Sequence, residues 1–359
     1  MNTARVKRLL SEWAKEFGFD QLSVGQLDLD KDVRELHLWL EKGFQGTMKY
    51  MGNNLDKRAN PKRLFPGTLS VISVRMPYRM EPLAKDRSIL ADDTKAFISR
   101  YALGRDYHKT VRARLKKLGK RLESEIGSFG YRVFSDSAPI LERGLARNAG
   151  LGWIGKNTML IHPKAGSYFF LGEIFTDLNI PHCNVRIENK CGPCTKCINI
   201  CPTKAIVGPY QIDARKCISY LTIESKEEIP LELRPLIGNR IFGCDDCQII
   251  CPWNKFSKTS RIGDFDSRHN LDNISLIKLF LMDLKEFEKI SLGSPIKRIS
   301  HEQWLRNIAV ALGNAKANKD IIQTLGTRSN HNSDLVRKHV NWALSEQKRK
   351  LSRGENKKL

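Results

Sequence analysis

Nine cysteines stand in this chain, and eight of them fall into a pattern that can do chemistry. Cys191, Cys194, Cys197 and Cys201-Pro202 are spaced C-x2-C-x2-C-x3-C-P, and Cys244, Cys247 and Cys251-Pro252 form a second, shortened run. In this spacing two [4Fe–4S] clusters share two loops, and the last cysteine of each loop crosses to the other cluster. Ile241 occupies the place of the second run's first cysteine, and Cys217, between the runs, can supply the missing thiolate. The expected sets are Cys191, Cys194, Cys197 and Cys251 on one cluster, and Cys201, Cys217, Cys244 and Cys247 on the other. A proline after each last ligand stops the local helical turn.

Zinc and disulfides are the alternatives for paired cysteines. Zinc usually takes two C-x2-C knuckles, whereas here a third cysteine follows at the same step and a fourth precedes proline. Disulfides do not suit the expected compartment. The first residues are polar and amphipathic rather than a signal peptide, and no apolar stretch is long enough to cross a membrane. A reducing, cytoplasmic location is expected, with no membrane partner. Cys183 is left over and is expected to be a free buried thiol.

The chain has 359 residues, more than one core usually holds, so two or three domains are expected. Its 61 basic and 39 acidic side chains give a net charge of +22. Such a field attracts polyanions, and its strength falls with salt. Two cluster loops on a basic body point to redox chemistry on a nucleic acid.

The elements that must position these residues read as α/β in the first half. Val6, Leu9, Leu10, Trp13 and Phe17 recur at helical spacing, and Val111, Leu115, Leu118, Leu122 and Ile126 mark one face of a long helix. Leu69–Met76, Tyr131–Phe134 and Tyr168–Leu178 read as strands. The expected division is residues 1–180, then a cysteine module over 181–257, then a helical part over 258–359. In that last part Trp304, Ile308, Ala311 and Leu312 recur 32 positions later as Val336, Val340, Ala343 and Leu344, the mark of a two-copy helical repeat. From Ser294 onward there are 14 basic against 5 acidic residues, which suits an RNA backbone. The tail from Lys348-Arg349-Lys350 through Lys357-Lys358 is expected to be disordered.

Three further motifs qualify the picture. Gly150, Gly152 and Gly155 satisfy a dinucleotide fingerprint, and Gly150 to Lys156 nearly satisfies a P-loop. Both need a preceding strand, but residues 139–149 read as a helix, and Asn157 replaces the P-loop hydroxyl. We read a glycine-rich turn that lets backbone approach closely. Asp136, in Ser135-Asp136-Ser137-Ala138-Pro139, lies between a strand and that helix. Its residue type favours capping the helix, while a carboxyl at a strand's end beside a pocket can also donate a proton. Burial beside an apolar cofactor would raise its pKa. Asp106-x-His108 opens like a D-x-H-x-x-G corrinoid motif, but residue 111 is Val, so His108 is not expected to be an axial ligand.

Taken together, RYALGRDYH (Arg100 to His108), SDSAPILER (Ser135 to Arg143), GLGWIGKNTMLIHPKAGSYFFLGEI (Gly150 to Ile174), CGPCTKCINICPTKAI and FGCDDCQIICPWN resemble the epoxyqueuosine reductase family, in order and across nearly the whole chain. The resemblance implies an α/β cobalamin-binding domain, a ferredoxin-like double [4Fe–4S] module and a C-terminal α-helical, HEAT-like part that binds tRNA. It implies reduction of epoxyqueuosine to queuosine at the wobble position of tRNA, the last step of that modification. Electrons would come from an external low-potential donor, and the enzyme would act as a monomer on the anticodon arm. By the same resemblance Asp136 is the proton donor, Arg58, Lys156, Ser167 and Ser219 join it against the corrin, and Arg143 faces tRNA. Two rivals share some of these features. A corrinoid reductive dehalogenase lacks a use for the basic C-terminal repeat. A pure electron-transfer protein leaves GLGWIGKNT and SDSAPILER without a task.

Overall fold

The computed structural model describes residues 3–353, with side chains from Arg5. At its centre is a four-stranded sheet in the order Gln21–Gly25, Ser70–Pro77, Phe169–Thr176, Tyr131–Phe134, and every neighbouring pair is antiparallel. The three strands read from the sequence are present, shifted by one or two residues at their ends. The Gln21–Gly25 edge strand was not anticipated, because five residues with two polar side chains carry little periodic signal. Antiparallel pairing also departs from the parallel sheet that α/β often implies.

Side-chain alternation explains why helices cover both faces. Ile72, Val74, Met76 and Ile174 point to one side, where the helices Thr3–Glu16 and Tyr107–Ile126 bring Val6, Leu10, Val111, Leu115, Leu118 and Leu122. Val71 and Phe175 point to the other side, against Leu29, Phe134, Ile140 and Leu145. Each fully buried Leu or Val contributes about 1.5–3 kcal/mol, so the central strand Ser70–Pro77, buried at all eight positions, anchors the sheet. Gly25 closes one end. A Cβ there would lie 2.6 Å from the Ala149 backbone nitrogen, so only glycine lets strand and chain meet.

The expected divisions at 180 and 257 do not divide the packing. Strand Phe97–Ile98 pairs in parallel with Arg240–Phe242 inside the cysteine module. One apolar core runs from Ile98 and Leu103 through Ile223, Ile241 and Phe242 to Trp304, Ile308, Val336 and Val340. The C-terminal helices His301–Asn314 and Asp334–Ser352 lie where their periodicity placed them, and Lys319–Gly326, not anticipated, lies between them in the chain. Trp304, Ile308, Ala311, Val336, Val340 and Ala343 are buried, and the first helix packs on the third.

One expectation is corrected here. Lys348-Arg349-Lys350 is helical rather than disordered. Lys350 Nζ donates to the carbonyls of Gly313, Asn314 and Ala315, the unpaired C-terminal end of the neighbouring helix. Gln347 adds bonds to the carbonyls of Leu312 and Ala315. Lys357 and Lys358 lie outside the described residues. Among the described residues no helix is long and apolar enough to cross a membrane.

Candidate active site and thiol sets

Asp136 sits past the end of strand Tyr131–Phe134 in left-handed backbone, with φ of 59°. The helix read over 139–149 begins only at Glu142, so Asp136 does not cap it. Its side chain has other partners. Tyr107 donates its hydroxyl to Asp136 Oδ2 at 2.6 Å, and His108 Nε2 lies 2.9 Å from the same oxygen. His108 Nδ1 lies 2.8 Å from Oδ1 of Asp106, which caps the Tyr107–Ile126 helix through the His108 N–H. The Asp136 backbone N–H donates to Glu142 Oε1 at 2.5 Å. Tyr107 is fixed by stacking between Phe170 and His108, with ring centroids 4.2 and 4.1 Å apart.

These contacts set the protonation states. Burial would raise the Asp136 carboxyl, but hydrogen bonds from His108 and Tyr107, with the His108 charge, together hold it below the usual range. Cationic and hydroxyl donors outweigh desolvation here. Burial would lower His108, yet Asp136 and Asp106 raise it. An ionised carboxylate only accepts, so a ring held between two of them carries a proton on each nitrogen. Burial pushes Glu142 up to about 7, and the Asp136 charge adds to this. Glu173, buried in the central sheet beside it, is pushed well up by burial and by Glu142.

Three parts of the chain face Asp136. Its side chain is 55 % exposed, so it meets solvent rather than the core. Arg298, from the C-terminal part, makes a two-pronged pair with Glu224 at 2.7 and 2.8 Å and reaches the Tyr50 hydroxyl at 3.4 Å. The charges of Asp136, Glu224 and Arg298 all act on Tyr50. An exposed carboxylate fixed by Tyr107 and His108 can meet a bound cofactor or substrate.

The eight motif cysteines are uncrosslinked. Burial raises Cys251 to about 11, and Cys191, Cys197 and Cys194 add to the shift. Burial also raises Cys217, with Cys201 contributing, and Cys244, with Cys217 contributing. Cys247 is raised well up by burial, and both Cys217 and Cys197 act on it. The thiols of each expected set therefore act on one another, and Cys197 also acts on Cys247. The donor set fits two clusters.

The comparisons with known proteins agree in detail. Residues 58–137 match the family model described as "Epoxyqueuosine reductase QueG, DUF1730", and residues 190–254 match the "4Fe-4S double cluster binding domain". The epoxyqueuosine reductase of Pseudomonas aeruginosa is 52% identical over 341 residues, covering 95% of this chain and 94% of that one. The chain belongs to the epoxyqueuosine reductase family. Among solved structures, an epoxyqueuosine reductase with a tRNA-Tyr epoxyqueuosine-modified tRNA stem loop aligns with TM-score 0.87 at 29% identity, covering 100% of this chain and 96% of that one. The Bacillus subtilis epoxyqueuosine reductase with its catalytic aspartate loop swung out of the active site aligns with TM-score 0.84 at 30% identity, covering 99% and 96%.

Other residues expected from the family resemblance are spread around this centre. Lys156 Nζ donates to the carbonyls of Gly192 at 2.6 Å and Cys194 at 3.0 Å, so it braces the first cysteine loop. Ser167 is buried, with its N–H and hydroxyl on Asn254 and its hydroxyl also on Gln248. Ser219 is half-buried in the short helix after Cys217. Arg58 donates to the carbonyls of Tyr50 and Asn53. Arg143 is exposed and donates to the carbonyl of Thr158. Cys183 is half-buried rather than buried. Gly150, at φ 71°, forms the expected turn; a Cβ there would meet the Val185 carbonyl oxygen at 2.5 Å. Sequence reading passed over Tyr50, Tyr107, Glu142, Glu173, Glu224 and Arg298. Tyr107 alone carried a signal, as the residue between Asp106 and His108.

Proposed function

We propose that this chain reduces the epoxide of epoxyqueuosine in tRNA to the alkene of queuosine. Residues 181–257 would hold two [4Fe–4S] clusters, residues 1–180 cobalamin, and residues 258–359 the tRNA. The observation that carries this reading is the hydrogen-bonded row Asp106, His108, Asp136 and Tyr107, with the Asp136 side chain exposed. Cys191, Cys194, Cys197 and Cys251 would ligate one cluster, and Cys201, Cys217, Cys244 and Cys247 the other. When bound, cobalamin supplies low-potential electron pairs at carbon, and the clusters relay single electrons to it.

Removal of the epoxide oxygen as water consumes two electrons and two protons. Epoxide oxygen leaves poorly as an anion, so a donor within hydrogen-bond reach lowers the barrier. Asp136 is that donor at Oδ2. Because Asp136 is ionised at rest, its proton comes from His108 Nε2, and Asp106 steadies the ring as its charge changes. Tyr107, pushed up by burial and by Asp136, keeps its proton and fixes the carboxylate's direction. Arg58, Lys156, Ser167 and Ser219 would border the corrin, and Arg143 the tRNA. Lys156 and Ser167 would act there through the loops they brace. The basic C-terminal helices suit the phosphate backbone of an anticodon arm, with the modified base turned out of its stack toward Asp136.

The test is anaerobic turnover of epoxyqueuosine-containing tRNA with and without added cobalamin, read by nucleoside mass spectrometry. Cobalamin-dependent loss of one oxygen mass is expected. No conversion by protein with reducible clusters would sink the reading.

A further inference from the structure

The two cysteine loops meet solvent very differently. In Cys191–Cys201 the intervening Gly192, Pro193, Thr195, Lys196, Asn199 and Ile200 are exposed. In Cys244–Cys251 the intervening Asp245, Asp246, Gln248 and Ile249 are buried. The first loop is therefore the more open of the two to a partner from outside.

The surface there is built as one unit. The turn of the hairpin formed by Ile206–Gly208 and Gln211–Ile212 carries Tyr210, whose hydroxyl accepts from Asn189 at 2.8 Å. Asn189 in turn accepts the Cys191 N–H at 2.9 Å. Lys156 joins the same turn to the loop, accepting the Tyr210 N–H at its carbonyl while its ammonium bonds the loop carbonyls. Three of the thirteen large apolar side chains exposed among the described residues, Ile200, Val207 and Tyr210, lie within residues 200–210. Lys190, Lys196 and Lys204 lie on the same stretch of chain, all exposed and none in an ion pair among the described residues. Between residues 183 and 211 the sole acidic residue is Glu188, against four basic ones.

We propose that this patch is the docking surface for a small acidic one-electron carrier protein, one holding a flavin or an iron–sulfur group. The inference rests on the redox reading above and names the partner which that reading requires. Exposed Ile200 and Val207 beside lysines outside any ion pair suit a transient protein contact, whose small interface is steered by charge. RNA recognition would call for several stacking platforms, and of the three exposed side chains only Tyr210 is aromatic. Each encounter oxidises the carrier by one electron and reduces a cluster by one. Two encounters, with the two protons above, balance the removal of one oxygen as water.

The test is stopped-flow bleaching of the cluster absorbance in holo-protein, driven by photoreduced acidic flavodoxin. Lys190→Glu/Lys196→Glu/Lys204→Glu should slow this reduction about tenfold or more at low salt, and the wild-type rate should fall steeply as salt rises. Reduction by photoreduced deazaflavin, a small neutral reductant that needs no docking surface, should stay unchanged. Ile200→Ser/Val207→Ser provides a second, charge-neutral variant with the same expected direction, should the first lose iron. Equal flavodoxin rates in wild type and either iron-replete variant would overturn the proposal. So would unchanged rates with weakened tRNA binding, which would give the patch to RNA. Because this readout is cluster reduction, a protein that passes it but leaves the epoxide intact would fail the proposed function alone.

Discussion

Two loops of nearly equal cysteine spacing have opposite surroundings, and the contrast assigns them different work. The Cys244–Cys251 loop is tied inward. Asp245 accepts from Ser99 Oγ at 2.5 Å and from the Arg100 N–H at 2.9 Å, and Asp246 pairs with Arg240 through two bonds of 2.6 Å. Cys217 and Cys244 pack against an apolar group that includes Ile218, Leu221 and Val310. The Cys191–Cys201 loop is held mainly by backbone turns, Asn189 and Lys156, and its outer side chains face water. Asp245 of the inner loop and Asp136 both act on Tyr101. One loop is tied into the core and the other faces solvent.

The largest expected effect separates Asp136 from both loops. Asp136→Ala should cut turnover by about 10²–10⁴-fold while iron content and tRNA affinity stay at wild-type values. Iron loss would mean that Asp136 and the clusters belong to one structural unit. Next, Cys217→Ala should remove about half of the iron, because one of two clusters loses a ligand that nothing else replaces. Full iron by elemental analysis would break the assignment of Cys217 to the inner set.

A stability pair then probes the contrast directly. Asp245→Ala should cost about 1–3 kcal/mol, since it leaves the buried Arg100 N–H without its acceptor. Thr195→Ala in the outer loop should stay within about 0.5 kcal/mol. Equal effects in chemical denaturation at matched iron content would erase the distinction. The smallest effect is in the pH profile. His108 is raised above 6.5 in the folded protein, so it is charged below its pKa and loses its proton as pH climbs through it. Turnover should fall along that limb, with a midpoint above 6.5. His108→Gln should be slower at every pH and should lack the limb. A wild-type profile in that variant would remove His108 from the proton path.

Much of this was legible beforehand because its physics is local. Cysteine spacing along a loop limits which thiolates can face one cubane, so a double-cluster module was legible without tertiary information. Apolar periodicity gave the Tyr107–Ile126 helix and the C-terminal helices His301–Asn314 and Asp334–Ser352, since one buried stripe leaves a repeating mark. Other features left none. Arg298, Glu224 and Tyr50 are far apart in sequence and ordinary in type, and only folding brings them to one rim. The Lys350 cap was unreadable for the same reason, because its partners lie 35 to 37 residues away.

The sequence by itself determined the double-cluster module, the basic character and the family, through residue types whose chemistry depends on near neighbours. Only the tertiary structure decided the charge state of Asp136, which depends on His108 and Tyr107 lying 28 and 29 residues away. Only it decided which cysteine loop meets water. Burial and electrostatics act through space, and neither is written in spacing along the chain.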